Sequence, residues 1–225
     1  GEAAEPADLD ALALDMEGNA PAIPGDDGPL AFGVAVFILL TTWKQGRRLL
    51  AQRLAAEAIS HDAFIASCAE GDVTRVPGTA IFLTTNPEGM PHALLHSLKH
   101  YKALHQRIVL TTVSVLDVPR VQEERRVVVA ALGNGFWRVR LVYGFMDQPD
   151  LPKALEGCAA QGLALQAMET TYFLGRETLI PRFGSEMAFW REKLFVALFR
   201  NAGSAATYFK LPPNRVVELG AQVVL

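Results

Sequence analysis

His92, His96 and His100 stand four residues apart, so a helix through them would carry all three imidazoles along one face. The first pair has the spacing of helical zinc ligands. The acidic residue such a site places between its histidines is missing, because Ala93, Leu94 and Leu95 fill those positions. The pattern therefore reads as a polar helix face at a subunit or membrane-proximal contact, open to protonation because imidazole titrates near neutrality. Ser114, Ser185 and Ser204 sit in no nucleophile-elbow pattern. Cys68 and Cys158 are too isolated for a disulfide framework or a zinc knuckle and read as free thiols. Gly175-Arg176-Glu177 follows an apolar run, where Arg and Glu can pair with each other or hold an anion. Glu123 and Glu124 adjoin Arg125 and Arg126 in what reads as a solvated turn. No catalytic, cofactor-binding or metal-binding residue is assigned on these patterns.

The elements that would position these residues are legible from periodicity. Pro77-Gly78 breaks the chain, and 79–85 is an apolar run of strand length ended by Asn86-Pro87-Glu88-Gly89. Pro91 suits a first helical turn, and Leu94, Leu95, Leu98, Tyr101 and Leu104 then recur at helical spacing. The β-branched run 108–115 comes next as a second strand. Two buried strands joined by a helix make a βαβ unit with parallel strands. Val127 to Leu132 and Phe136 to Tyr143 flank Gly133-Asn134-Gly135, a turn that accepts positive φ, and read as an antiparallel hairpin. In its second arm Trp137, Val139, Leu141 and Tyr143 share a face to be packed, opposite Arg138 and Arg140 on a face to be wet.

Further on, 152–163 reads as a helix stopped by Gly162, and 170–174 as a strand that 177–180 extends. Ser185 is placed to cap a helix with Met187, Trp190, Leu194 and Leu198 inward, and 216–225 to return to the sheet or bind a partner. The expected fold class is α/β, a mixed sheet with a βαβ unit and an antiparallel hairpin, preceded by one transmembrane helix.

That helix is expected from Leu30 to Trp43, fourteen residues without a charge. At helical rise they cover roughly 21 Å against a hydrocarbon core of about 30 Å, so the flanks must contribute to any span. A core helix of a soluble domain is the competing reading. The run has no polar face, ends at Trp43, and is followed by Lys44, Arg47, Arg48 and Arg53, as a cytoplasmic flank would be. Residues 1–29 hold eight acids and no base and are expected to be poorly ordered or extracytoplasmic. The reading then places a transmembrane helix and basic flank at 30–48, a juxtamembrane helical connector at 49–76, and an α/β domain at 77–225. Over 44–59 Arg47, Arg48 and Arg53 are available for lipid phosphates, or the stretch is an ordinary amphipathic helix of the globular domain. Half the residues are hydrophobic, enough to fill a core, and a net charge of −3 gives no reason to expect nucleic acid.

Several stretches together resemble the C-terminal part of bacterial Kup-type potassium uptake permeases. They are TAIFLTTNPEGMPHALLHSLKHYKALHQRIVLTTV from Thr79, Tyr143-Gly144-Phe145-Met146, METTYFLGRETLIP from Met168, and FWREKLFVALFRNAGSAATYFKLPPNRVVELGAQV from Phe189. GPLAFGVAVFILLTTWKQGR from Gly28 is similar to the last membrane helix of that family. The resemblance implies proton-coupled potassium uptake across the bacterial cytoplasmic membrane, with residues 44–225 cytoplasmic. Potassium coordination needs several oxygen donors gathered in a bundle at membrane depth, and one apolar helix cannot supply them. The expected role is therefore regulatory or in assembly, as a part unable to transport alone. It would dimerise, or pack beneath the remaining permease helices through which potassium passes. A soluble cyclic-dinucleotide sensor is the alternative, requiring Arg138, Arg140 and Arg176 to converge on a pocket. A soluble enzyme would need convergent titratable groups that no spacing here advertises.

Overall fold

The computed structural model describes residues 28–56, 59–71, 73–181 and 186–224. The acidic segment up to residue 27 and the proposed cap Ser185 lie outside them. Two compact units divide the chain at Lys44 and Gln45. The first unit contains the opening half of helix α1 (Gly28–Ala56), where Leu30, Phe32, Val34, Phe37 and Leu40 are all exposed. α1 is continuous through the boundary expected near residue 48.

The transmembrane helix expected from Leu30 to Trp43 is not upheld. Among the described residues no helix is long and apolar enough to cross a membrane. At 29 residues α1 has the length, but its uncharged run, sixteen residues from Gly28 and fourteen from Leu30, stops at Trp43, and Lys44, Arg47 and Arg48 come within the next turn or so.

In the second unit the described strands form one six-stranded sheet. They are β1 (Thr74–Thr84), β2 (Ala103–Leu116), β3 (Val127–Gly133), β4 (Phe136–Gly144), β5 (Thr170–Ile180) and β6 (Val216–Val224). Their order is β3-β4-β2-β1-β5-β6, all neighbours parallel except the β3–β4 hairpin at one edge. The βαβ unit is as expected: β1, then α3 (His92–Tyr101), then β2 paired parallel to β1. The helix ends three residues earlier than its apolar spacing suggested. Lys102 takes φ 55° and donates its N–H to Leu98 O, which throws Leu104 into the strand.

Each sheet face buries its own cluster. Ala80, Phe82, Leu94, Ile108 and Phe136 pack under α2 (His61–Glu70) and α3. On the other face Ile81, Val109, Val139, Leu141 and Tyr143 pack against α5 (Leu151–Glu156), the 3₁₀ turn Gly157–Gln161 and Leu211. The chain thus has the three layers typical of α/β domains. Of the two arginines expected on the wet face of β4, Arg140 is exposed, whereas Arg138 is half-buried under α2 and donates to His61 Nδ1 at 2.7 Å. α4 (Glu123–Arg126) is a single turn before the hairpin.

The inward face expected for the helix after Ser185 also differs from the one observed in α6 (Phe189–Arg200). It buries Glu192, Phe195 and Val196, while Trp190 is exposed. Gly46 explains part of that choice of face: a Cβ there would collide with the Phe195 ring, so the missing side chain admits the phenyl group. Ser204 caps α7 (Ala205–Tyr208) by accepting from Ala206 N at 3.2 Å.

Candidate functional site

β1 leads through α3 to β2 on one side, whereas β4 crosses the other face to reach β5 on the opposite side of β1. Where successive connections leave in opposite directions, the helical layers part beyond the carboxyl ends of the strands and leave a crevice. A cavity of about 250 Å³ lies there. Leu83 and Thr84 of β1, Thr111 and Val113 of β2, and Leu174 and Glu177 of β5 supply its floor. Met90, His92 and Ala93 close it from one layer, and Ala205 and Phe209 from the other.

The loop from β1 into this cavity is held by its own side chains. Thr84 Oγ1 accepts from Asn86 N at 3.1 Å and donates to Asn86 O at 3.2 Å. Asn86 Oδ1 accepts from Glu88 N at 3.0 Å, an Asx turn, and Met90 N donates to Ile59 O at 2.9 Å. Pro91 then opens α3 without a side-chain cap.

Two polar atoms in this lining have no hydrogen-bond partner. Thr111 is fully buried and its Oγ1 is unpaired, and His92 Nε2 is buried and unpaired too. Buried hydroxyls and imidazoles normally find a partner, since an unmade bond costs about 1–3 kcal/mol. Among the described residues Glu177 has the one acidic side chain in the cavity wall and no Lys or Arg lines it. The Glu177 Oε1 lies 3.5 Å from where a Cβ on Gly175 would sit.

The residues singled out by spacing are dispersed. Of the three histidines, His92 faces the cavity, while the rings of His96 and His100 stack 6.0 Å apart. No group of three or more His, Cys, Asp or Glu that could hold a metal occurs among the described residues. Arg138 and Arg140 on β4 are separated from Arg176 on β5 by β2 and β1, about 14 Å at ordinary strand spacing. The three arginines therefore do not converge. Arg176 pairs instead with Glu218 of β6 at 3.3 Å, leaving Glu177 to the cavity. Arg126 lies 3.7 Å from Asp147 and 5.1 Å over the Tyr143 ring, a structural arrangement at the hairpin base. Burial pushes the Cys158 thiol up to about 11 and raises that of Cys68, so neither is a thiolate nucleophile near neutral pH. Sequence spacing missed Thr111 and Asn86, and it marked Glu177 only as a partner of Arg176 or part of an anion site. The one available signal for the first two was position, since each falls toward the carboxyl end of a parallel strand or just after it.

Residues 77–225 match the family model described as "K+ potassium transporter C-terminal domain". The chain is 62% identical over 197 residues to the probable potassium transport system protein Kup 3 of Dechloromonas aromatica (strain RCB), covering 88% of this chain and 32% of that protein. It is 59% identical over 197 residues to the probable potassium transport system protein Kup of Aromatoleum aromaticum (strain DSM 19018 / LMG 30748 / EbN1), with 88% and 31% covered. It is 52% identical over 197 residues to the corresponding protein of Myxococcus xanthus (strain DK1622), with 88% and 30% covered. The chain thus spans about a third of the length of the curated relatives it matches. No solved structure matches it.

Proposed function

The chain belongs to the Kup-type potassium transporters through their C-terminal domain, and from that premise we propose that it is a regulatory and assembly part of a potassium uptake permease that does not conduct by itself. The observation that supports this best is that the family match over residues 77–225 takes in nearly all of the six-stranded sheet that organises the second unit. A self-contained α/β body of this kind suits a domain that biases a transporter between states.

On this reading the membrane part lies in the remaining permease helices, through which potassium would pass with proton coupling. The exposed apolar half of α1 meets those helices and the lipid around them, since Leu30, Phe32, Phe37 and Leu40 otherwise face water. Lys44, Arg47, Arg48 and Arg53 favour the cytoplasmic side for residues 44–225 and suit anionic headgroups. A homodimer through the α/β domain is a further arrangement the reading accommodates. The relatives are named as transport proteins, and the crevice brings no nucleophile and base together, so an enzyme is not favoured. The cyclic-dinucleotide alternative loses its support with the scattered arginines.

Potassium uptake in a bacterium lacking its own uptake systems tests the proposal. A permease carrying this domain should restore growth at low potassium, and deleting residues 77–225 from it should lower uptake severalfold or abolish its adjustment to internal potassium. Unchanged rate and adjustment after deletion, or potassium flux into vesicles holding this chain alone, would overturn it.

A further inference from the structure

The crevice beyond β1, β2 and β5 has the composition of a ligand site without the composition of an anion site. Its walls are largely apolar, with Leu174 and Phe209 prominent. Besides Thr84, Thr85 and Asn86 at the rim, its polar atoms are Thr111 Oγ1 and His92 Nε2, both buried and unpartnered, and the Glu177 carboxylate. A bare cation would need converging oxygens rather than an apolar wall. A phosphate would want Lys or Arg, neither of which is among the described lining residues, and the Glu177 carboxylate would repel it. A volume of about 250 Å³ falls just below the roughly 300–1,000 Å³ of drug-sized pockets, which limits the occupant to a compact small molecule.

We infer that this crevice binds an uncharged nucleoside, whose base enters the apolar wall and meets Thr111 and His92 with its polar edge while its ribose hydroxyls donate to Glu177. Each part of the molecule finds the group it needs. A base has a flat apolar face for Phe209 and Leu174, and donors and acceptors at its rim for a hydroxyl and an imidazole, either of which can donate or accept. A vicinal diol suits a carboxylate at the end of a parallel strand, the position from which open α/β sheets commonly hold ribose. The Thr84–Asn86–Glu88 hydrogen bonds fix the loop at the rim in advance, so little ordering is needed on binding.

Binding is read directly on the 225-residue chain, so the outcome does not depend on the transport reading. Calorimetric titration with adenosine, guanosine, cytidine and uridine should show saturable 1:1 binding of at least one of them. Thr111→Val should weaken that binding roughly tenfold, the effect of losing one buried hydrogen bond. Glu177→Gln should narrow the preference for the ribonucleoside over its 2′-deoxy form, with the unliganded fold unchanged by circular dichroism. Absence of saturable binding by all four nucleosides up to about 5 mM, beyond which affinity is negligible, overturns the inference. So does equal binding by the folded Thr111→Val chain, or displacement of the nucleoside by inorganic phosphate.

Discussion

At the amino ends of the parallel strands, Thr170 donates its hydroxyl to Gln166 O at 2.7 Å and Arg107 donates to Ala164 O at 2.6 Å. Arg75 adds bonds to His105 O at 3.0 Å and Asn134 O at 3.2 Å, with its guanidinium 5.4 Å over Phe136. At the carboxyl ends, Thr111 and His92 hold buried polar atoms that no protein group meets. Both ends carry buried threonines and a histidine and both have a cavity, about 180 Å³ beside Thr79, Arg107 and Gln166 at the amino end. There the side chains are tied into internal hydrogen bonds, whereas at the carboxyl end Thr111 Oγ1 and His92 Nε2 are not. The difference teaches that the same residue types serve stability where their partners are internal and remain available for recognition where they are not.

The largest expected effect comes from breaking the amino end. Gly135 has φ +80°, and a Cβ there would run into the backbone carbonyl of Gln106. Its own carbonyl accepts from Ile108 N at 2.9 Å, stitching the hairpin to β2. Gly135→Ala should cost about 2–4 kcal/mol, seen as a lower urea midpoint. A change below the error of the fit would show that the amino end yields easily.

A paired substitution sharpens the contrast. Thr170→Val removes a satisfied buried hydroxyl and one of the two bonds to the Gln166 carbonyl, which keeps the one from Glu169 N at 3.0 Å. It should therefore destabilise by about 1 kcal/mol. Thr111→Val removes a hydroxyl that has no partner, and should be neutral or stabilise by up to about 1 kcal/mol. Equal losses for the two, measured by denaturant unfolding, would erase the distinction between the ends.

The smallest effect is a pH dependence. His105, near the amino end of β2, sits with its ring 5.7 Å from Phe173, and burial lowers its pKa below the ordinary 6.5. His61 is lowered chiefly by burial as well, with Arg138 donating to its Nδ1. In the window from 6.5 down to the depressed values the unfolded chain binds more protons than the folded one. Stability should therefore be full above that window and decline as the pH falls through it. Unfolding midpoints measured from neutral pH down to about 5 should drop, and His105→Phe should flatten part of the slope. A midpoint that rises on acidification would mean these imidazoles gain a partner when protonated.

Much of the architecture could be read from local pattern. The run at 79–85, the spacing of Leu94, Leu95 and Leu98, and the β-branched 108–115 specify a βαβ unit because each declares its own period. The Gly133-Asn134-Gly135 turn does the same for the hairpin. The features that could not be read depend on partners distant in sequence. Trp190 outranks Glu192 on any hydrophobicity scale, yet Glu192 is buried, and the cleft at Gly46 that receives Phe195 is invisible to periodicity. The fourteen charge-free residues of α1 looked like a span because apolarity was legible while the shortfall in length needed the charged turns after Lys44 to be weighed against it. For the crevice, spacing drew attention to His92 through the wrong partners, His96 and His100. Its companions Thr111 and Glu177 lie on strands that topology alone brings beside it.

The placement of β5 between β1 and β6 has a kinetic consequence. Thr79 pairs with Thr170 across about ninety residues of chain, whereas β1 meets β2 through a single short helix. Closing so long a loop is entropically slower than forming the nearby pairings, so the β3-β4-β2-β1 half should assemble first and wait with an open edge for β5. The cleft between β1 and β5 would then be the last part of the sheet to acquire its shape during refolding. Pulse-labelled hydrogen exchange should find the amides of Val109 and Leu110 in β2, flanked by β4 and β1, protected before those of Tyr172 and Leu174 in β5, and simultaneous protection would show that the two halves condense together.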